Sequence, residues 1–537
     1  MFLTGWKPAR QAGCLSHYRM TNLPLITLLT LTPLIGALVL ALTGDRGERP
    51  AKGIALGFGF LALLEALLLV AGFDGKSAAL QFVERHAWIP SLGVEYFVAV
   101  DGLSILLVLL SALLVPFAVA VSVGVSDRPR TFYALMLLLQ AGLFGAFTAL
   151  NFFHWFIFWE ISLVPAYFLI KLWGGPARRA AATQFFIYTF VGSVAMLLAM
   201  QAVFLATGTF DLPKLAELAR SGELARGLEA KLHWTGLSAS ALGTVLFVGV
   251  FLGFAVKVPL MPFHTWLPAT YAEAPSSVTM LLTGAMSKMG VYGFLRILAP
   301  IFPGQLRDLL GPLMALAVLT IVASAFAAFA QKDLKRMLAY SSINHLGLCL
   351  LGLFAAMQPT ANTGVWQTEK VAALNGVLLQ MFNHGLTAAA LFGFVALLER
   401  RAGGLRGLDD FGGLRKVAPV FAGLMGISLF ASLGLPGLNG FIGEFLIFKG
   451  AFPLAPYAAA LSTLGLLLTA IFLLTLIQRV FAGPLNERWK TFPDLTRGEL
   501  FIFAPAVALM FVLGVAPQLV VRLINPTVIE AVSRLGN

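Results

Sequence analysis

The sequence has few charged residues for its length. Only 12% of its 537 residues are Asp, Glu, Lys or Arg, whereas soluble domains carry about 25%. Hydrophobic residues reach 59%, so the chain has too little polar surface to cover a water-soluble globule. This composition excludes a soluble enzyme, a disordered chain and a nucleic-acid-binding protein. It indicates a polytopic membrane protein.

Cysteines and cofactor motifs are also scarce. The two cysteines, Cys14 and Cys349, lie far apart, and Cys349 lies within an apolar segment. They therefore provide neither a disulfide framework nor a thiolate metal site. The sequence has no Walker loop, no GxGxxG turn in a βαβ context and no CxxC pair. We expect no metal, NAD, flavin or iron–sulfur cluster on this chain, and an energy source in an ion gradient or a partner protein.

Long apolar segments are abundant. Leu, Ala, Val, Phe and Gly dominate them, without the alternation typical of strands. The sequence predicts an all-α polytopic membrane protein with about 14 transmembrane helices, because about 20 apolar residues cross the hydrocarbon layer as a helix. We number these segments as spans 1 to 14. Their cores are 24–42, 53–72, 102–122, 132–149, 152–171, 184–206, 239–258, 276–298, 309–329, 337–355, 372–398, 418–449, 455–481 and 499–521.

The basic residues favour one side of the membrane. The net charge is +12. Loops after odd-numbered spans contain roughly 20 Lys and Arg residues against roughly 13 on the other side, and short loops rich in these residues stay in the cytoplasm. We therefore predict that both termini lie outside the cytoplasm.

Six titratable side chains interrupt the apolar spans. A charge at a helix centre costs at least about 2.5–3.5 kcal/mol, so each needs a partner, a water-filled cavity or a function. Together they suggest a path for protons or other ions. The six are Glu160, Lys257, Lys288, His345, His384 and Glu444.

Structural roles for these side chains remain open at this point. Glu160 and Lys257 can form a static buried pair, although such pairs add little net stability. Lys288 has no acidic neighbour in its own span. The two histidines can be hydrogen-bonded packing residues, and Glu444 can interact with a helix end. Glu65 is also intramembrane, and nothing around it indicates a path.

Two spans carry helix-breaking residues beside a charge. Lys257 precedes Pro259 and Pro262, and Glu444 follows Pro436 and several glycines. Proline removes a backbone donor and clashes with the preceding turn, so spans 7 and 12 are predicted to be broken. Broken helices in corresponding halves indicate an inverted-repeat transporter, here with spans 4–8 and 9–13 as five-helix repeats. Ordinary kinks are the alternative.

These spans divide the chain into five parts. An N-terminal extension covers 1–23, with Met20 as an alternative start. The remaining parts are N-terminal helices 1–3 in 24–130, the first repeat in 131–298, the second repeat in 309–481, and span 14 with a tail in 482–537.

Long motifs in a fixed order resemble the antiporter-like membrane subunits of proton-pumping NADH:quinone oxidoreductase, respiratory complex I. The resemblance implies fourteen helices in two inverted five-helix repeats with helices 7 and 12 broken. The motifs are FWEISLVPAYFLI, KVPLMPFHTWLPATYAEAPSS, LLTGAMSKMGVYGFLR, QKDLKRMLAYSSINHLG, LQMFNHGLTAAALF and ASLGLPGLNGFIGEFL.

The resemblance also implies roles for the first three charged residues. Glu160 matches a glutamate that modulates the lysine of helix 7, here Lys257. Lys288 matches the central lysine of helix 8. Gln184 departs from the basic residue that many relatives carry there, and it does not touch this set.

The remaining residues match the far end of the family's hydrated axis. His345 and His384 match histidines of helices 10 and 11, and Glu444 matches the terminal carboxylate of helix 12. Subunits L and N of this family carry a lysine there, whereas subunit M carries glutamate. The absence of a long lateral helix after residue 521 also argues against subunit L.

The resemblance implies a proton-translocating subunit in a bacterial inner membrane, coupled to quinone reduction elsewhere in the complex. NADH, FMN, iron–sulfur clusters and quinone are expected in partner subunits, and L-like and N-like antiporter subunits on either side. An Mrp-type cation/proton antiporter subunit and an antiporter-like subunit of a membrane-bound hydrogenase are the alternatives.

Overall fold

Helices account for most of the structure, a computed structural model that describes residues 23–44, 47–360 and 364–535. In these ranges eleven helices are long and apolar enough to cross a membrane. The predicted helical membrane fold is confirmed. The predicted extension 1–23 and alternative start Met20 lie outside the described residues, apart from residue 23.

The helices follow the predicted spans closely, and shorter helices lie between them. We number all of them in chain order. They are α1 Leu25–Leu42, α2 Glu48–Gly72, α3 Ile105–Val121, α4 Pro129–Thr148, α5 Phe152–Trp173, α6 Arg178–Thr207, α7 Leu212–Arg220, α8 Glu223–Leu232, α9 Ala239–Lys257, α10 Trp266–Glu273, α11 Ser276–Leu281, α12 Lys288–Gly293, α13 Ala299–Ile301, α14 Pro303–Asp308, α15 Leu310–Phe329, α16 Leu334–Ala356, α17 Gly364–Arg401, α18 Pro419–Ser432, α19 Asn439–Leu454, α20 Pro456–Leu476, α21 Arg497–Val515 and α22 Gln518–Leu535.

Three predicted spans do not contain one long, uninterrupted helix. Helix α3, in span 3, has 17 residues. Span 8 contains π-helical turns at Leu282–Met286 and Phe294–Leu298. Span 12 consists of α18 and α19. The number of membrane crossings, fourteen, therefore stays a prediction.

Both predicted helix breaks are present. Helix α9 ends at Lys257 and the chain resumes as α10 at Trp266, while α18 ends at Ser432 and α19 begins at Asn439. Lys257 lies before its break, whereas Glu444 lies after its own. The two charges thus occupy different positions relative to the breaks, and the inverted-repeat symmetry stays a prediction.

The segments between spans hold structure that the sequence did not predict. A β-hairpin pairs β1, Gln81–Ile89, with β2, Val94–Val100, in antiparallel register. Strand β1 is largely exposed, so it lacks the apolar alternation that identifies a strand. Helices α7 and α8 have nine and ten residues and bury one leucine-rich face each. They are too short to stand out as apolar segments.

The C-terminal boundary also differs from its prediction. Span 14 was predicted to reach residue 521, but α21 ends at Val515 and α22 begins at Gln518. Pro517 lies between them, and proline interrupts the hydrogen bonding of a continuous helix. The residues after the break, predicted as a tail, form an 18-residue helix.

The hairpin, α7, α8 and α22 lie on one face of the helix bundle, which we call the hairpin face. Arg85 of β1 pairs with Asp211 at the start of α7, with 2.7 Å between Nη2 and Oδ2. The Gly102 amide donates to Thr527 Oγ1 of α22 at 3.0 Å. These contacts place segments that are distant in sequence on the same side of the bundle. This agrees with the predicted topology, in which all of these segments follow even-numbered spans.

A buried ion pair holds this face to the bundle. Arg296 Nη2 lies 2.5 Å from Asp101 Oδ1, and both side chains are largely buried. The Arg296 Nε also donates to Tyr292 Oη at 3.1 Å. Because α3 begins shortly after Asp101, the pair connects the hairpin and α3 to the end of span 8.

The opposite face carries a second ionic network. Arg406 Nε donates to Asp333 Oδ2 at 2.6 Å. Lys335, which is 3% exposed, places Nζ 3.1 Å from Glu399 Oε2 and 3.1 Å from the Ala274 carbonyl oxygen. The network ties the ends of α10, α16 and α17 together.

Removing one partner of the hairpin-face pair tests its role in stability. Asp101→Ala should lower the free energy of unfolding by about 3–5 kcal/mol, because it leaves Arg296 as an uncompensated buried charge. The measurement is the thermal unfolding midpoint of the detergent-solubilised protein. Glu217→Ala removes an exposed partner of Lys214 and is the control, for which we expect no measurable change. Equal midpoints for the two variants would contradict a stabilising role for the Asp101–Arg296 pair.

Candidate functional site

Four of the six predicted side chains form one continuous series of contacts inside the bundle. Helices α12, α17, α16 and α19 each contribute one of them, and all four side chains are buried. In order along the series they are Lys288, His384, His345 and Glu444. Sequence reasoning selected these residues one by one, and the structure brings them together.

An interruption of the α-helix in span 8 determines the surroundings of Lys288, at the start of the series. The Ser287 amide donates to the Leu282 carbonyl at 3.0 Å, five residues back. The Thr283 carbonyl, which an α-helix would pair with that amide, instead accepts from Ser287 Oγ at 3.0 Å and from Lys288 Nζ. The π-helical turn thus supplies an acceptor to a lysine that is fully buried.

The Lys288 ammonium has an acceptor for each of its three hydrogens. Its Nζ lies 2.8 Å from His384 Nδ1 and 3.5 Å from Ser287 Oγ, and it donates to the Thr283 carbonyl. The contact with His384 is the first link along which a proton can leave the lysine.

The two histidines form the middle of the series. The rings of His384 and His345 have centroids 5.0 Å apart and are tilted by 39°. His345 Nε2 also lies 3.2 Å from Ser432 Oγ, at the last residue of α18. No direct hydrogen bond joins the two rings in the described part of the chain, so transfer between them requires a ring rotation or a water molecule.

The series ends at a carboxylate beside the break of span 12. Glu444 Oε1 lies 3.2 Å from His345 Nδ1 and 3.3 Å from Gln380 Nε2. A Cβ added at Gly434, inside the break, would lie 2.6 Å from Glu444 Oε2. The broken helix therefore brings its own backbone close to the carboxylate.

The sequence reasoning missed two polar members of this site. Gln380 precedes His384 by four residues in α17, so helical spacing places both on one face and was an available signal. Ser432 ends α18, and no sequence signal distinguishes it from other serines.

The other two predicted residues, Glu160 and Lys257, lie apart from the series. They interact electrostatically, but no N–O distance between them is within 4.0 Å in the described residues. Lys257 Nζ instead lies 4.8 Å from the centre of the Trp159 ring. Trp159 Nε1 donates to Ser193 Oγ at 2.8 Å, and Ser193 is a polar neighbour of Glu160.

Backbone packing brings Lys257 close to the Lys288 helix without a direct contact between the lysines. A Cβ added at Gly290 in α12 would lie 2.5 Å from Val258 Cγ2, immediately after Lys257. The break of span 7 therefore packs directly on α12. No hydrogen bond from Lys257 Nζ reaches another residue of the described ranges.

The chemistry that this site supports is proton transfer. An amine, two imidazoles and a carboxylate follow one another at hydrogen-bonding or ring-contact distances, and each accepts and donates protons. In the described ranges no group of three or more His, Cys, Asp or Glu residues is arranged to hold a metal ion.

A family model describes the same part of the chain. Residues 149–471 match the membrane-domain family described as NADH:quinone oxidoreductase/Mrp antiporter. The sequence is 38% identical to NADH-quinone oxidoreductase subunit M of Rhodobacter capsulatus over 95% of this chain and 96% of that protein.

Solved structures share the fold. A chain of respiratory complex I from Thermus thermophilus with bound NADH superposes with a TM-score of 0.81 at 29% identity, covering 95% of this chain and all of that one. A chain of the Mrp complex from Dietzia sp. DQ12-45-1b superposes with a TM-score of 0.77 at 21% identity, covering 96% and 100%. At that identity the second likeness concerns the fold alone.

Alanine substitutions at two glycines in the break of span 12 distinguish the effect of backbone strain from the effect of contact with Glu444. Gly434 and Gly437 both have positive φ, at +78° and +92°, but only Gly434 has Glu444 beside its absent Cβ. Each substitution by alanine adds roughly 1–2 kcal/mol of strain. Gly434→Ala should cost more than Gly437→Ala, because the buried Glu444 carboxylate must move away from the new methyl group. The thermal unfolding midpoint checks this, and equal losses for the two variants would contradict the contact.

Proposed function

The chain belongs to the NADH:quinone oxidoreductase/Mrp antiporter family, and we infer that it is an antiporter-like, proton-pumping membrane subunit of respiratory complex I, of the subunit M group. The observation that carries this function is the buried series from Lys288 through both histidines to Glu444. A static scaffold would not need four titratable groups in contact across four helices, since each costs free energy to bury.

Proton transfer begins, in this proposal, with a change at Glu160 and Lys257. Quinone chemistry in a partner arm changes their interaction, which is weaker than about 4 kcal/mol at separations beyond 4 Å and an effective dielectric of 20. Bringing Glu160 closer stabilises the Lys257 ammonium, and moving it away destabilises that charge. The altered field of Lys257 then acts on Lys288, whose helix packs on the break of span 7.

The second stage follows the contact series. The Lys288 ammonium gives a proton to His384 Nδ1, 2.8 Å away, and becomes a neutral amine. His384 passes a proton to His345, directly after a ring rotation or through a water molecule. His345 Nδ1 then gives its proton to Glu444, 3.2 Å away, which becomes a carboxylic acid. Release of the proton from Glu444 and uptake of a new proton by the Lys288 amine together reset the series.

The redox centres belong to other subunits in this proposal. The chain is a subunit of an NADH-quinone oxidoreductase complex and carries no redox site itself. NADH, FMN, iron–sulfur clusters and quinone are bound by its partners. Subunits of the L and N type lie on either side of it. The names of its relatives and their membership of complex I support this assignment.

The chain is a multi-pass membrane protein of a respiratory complex. We propose the bacterial inner membrane as its location, with both termini and the hairpin face outside the cytoplasm. The distribution of Lys and Arg among the loops supports this orientation. The network of Asp333, Lys335, Glu399 and Arg406 then faces the cytoplasm.

The Mrp-type antiporter has less support than complex I. The family model covers both groups, and the likeness to the Mrp structure concerns only the fold. The relative with 38% identity is a complex I subunit that matches nearly the whole chain. The glutamate at position 444 agrees with the subunit M group.

Replacing Glu160 tests the proposed coupling. In membranes with fully assembled complex, Glu160→Gln should reduce NADH-driven quinone reduction and proton translocation together by at least about tenfold, because removing one unit charge near Lys257 abolishes an interaction of the order of 1.4 kcal/mol or more. The measurements are NADH oxidation and the quenching of a pH-sensitive dye, with a blot for assembly.

Glu65→Gln is the matched control. Glu65 is also intramembrane, but its carboxylate accepts from Thr32 in α1 and lies away from the series. Its variant should keep both activities. Unchanged quinone reduction with lost sodium–proton exchange in Glu160→Gln would replace the complex I assignment by the antiporter alternative.

A further inference from the structure

Gln380 lies at the last link of the contact series, between a histidine and the terminal carboxylate. Its side chain is 1% exposed. The amide Nε2 is 3.3 Å from His345 Nδ1 and 3.3 Å from Glu444 Oε1, which are themselves 3.2 Å apart. Three polar atoms from α17, α16 and α19 therefore form a nearly equilateral triangle.

The triangle accommodates a protonation state in which His345 Nδ1 carries no hydrogen and Glu444 is a carboxylate. A carboxylate oxygen and a hydrogen-free Nδ1 are both acceptors, so they repel each other at 3.2 Å unless a donor serves both. The Gln380 amide nitrogen has two hydrogens and can give one to each. His345 Nε2 then carries the ring hydrogen and donates it to Ser432 Oγ, 3.2 Å away.

The packing around Gln380 keeps its amide in place. A Cβ added at Gly443 would lie 2.5 Å from Gln380 Oε1 and 3.0 Å from its backbone nitrogen and Cα. The side chain therefore lies flat against α19, where only glycine leaves room for it. Its Oε1 is buried without a donor, so the nitrogen end makes all of the polar contacts of this amide.

We propose that Gln380 is a positioning residue that holds His345 with a hydrogen-free Nδ1 and Glu444 as a carboxylate, ready for the last proton transfer. This inference rests on the proposed function. When His345 becomes an imidazolium, its new Nδ1–H displaces the Gln380 N–H and donates to Glu444 Oε1. The N–H bond breaks and an O–H bond forms. A neutral imidazole and a carboxylic acid result, and the amide hydrogen returns to Nδ1.

The test compares two buried glutamines in the assembled complex. Gln380→Met keeps the volume and removes the amide. Gln140→Met is the control, because Gln140 is also buried, also has an Oε1 without a donor, and contacts Ser111 rather than the series. Proton translocation and NADH oxidation are measured in sealed membranes between pH 6 and pH 9.

We expect the acid limb of the proton-translocation profile to move to higher pH in Gln380→Met. The shift should be about one pH unit, the effect of losing one hydrogen bond that an amide donates to a carboxylate. The other titratable groups facing this site are His345, His384, Cys349 and Lys288. Gln380→Met keeps all four of these residues. Gln140→Met should keep the original profile.

A second variant covers the case in which Gln380→Met does not assemble. Gln380→Glu keeps the size and polarity, but a carboxyl group has at most one hydrogen and cannot serve both acceptors. It should also change the profile. An unchanged profile in an assembled Gln380 variant overturns the inference. If Glu160→Gln is also fully active, the proposed function fails as well, whereas loss of activity in Glu160→Gln alone leaves that function standing.

Discussion

A lysine ammonium buried inside a membrane protein is most stable when each of its three hydrogens has an acceptor, and the centre of this molecule meets that condition at one lysine. Lys288 meets it with a backbone carbonyl, a serine hydroxyl and a histidine nitrogen. This carbonyl lies in the π-helical turn of span 8, where the Ser287 amide bonds to the Leu282 carbonyl instead. The interruption of the helix thus leaves a backbone acceptor beside the buried charge.

The same relation holds at the other end of the series. The break of span 12 places Ser432 at the end of one half-helix and Glu444 in the next, so that a single histidine contacts both. Gly434 and Gly443 leave space that a side chain would fill. Helix breaks therefore do more than expose backbone groups in this fold. They bring side chains from separate helical segments within hydrogen-bonding distance.

Sequence reasoning identified the charged residues but not their contacts. Charged side chains stand out against apolar spans, and proline and glycine mark the breaks, so both features were predictable from residue type alone. The link between Lys288 and His384 joins residues 96 positions apart and depends on how α12 packs against α17. The hairpin, α7 and α8 escaped prediction because short, half-exposed elements carry little apolar signal. Gln380 was within reach, since its spacing from His384 is helical.

The buried charged side chains differ in how many hydrogen-bonding partners each of them has. Lys288 and Glu444 each have at least two hydrogen-bonding partners, whereas Lys257 faces an aromatic ring and, in the described residues, has no hydrogen bond from its Nζ. A cation–π contact contributes only about 0.5–2 kcal/mol, so the charge of Lys257 is less firmly held by its neighbours than that of Lys288, which has three acceptors. In the proposed function, a signal that moves Glu160 acts first on Lys257. In that proposal the series beyond it responds through the contacts of Lys288 with His384 and of His345 with Glu444.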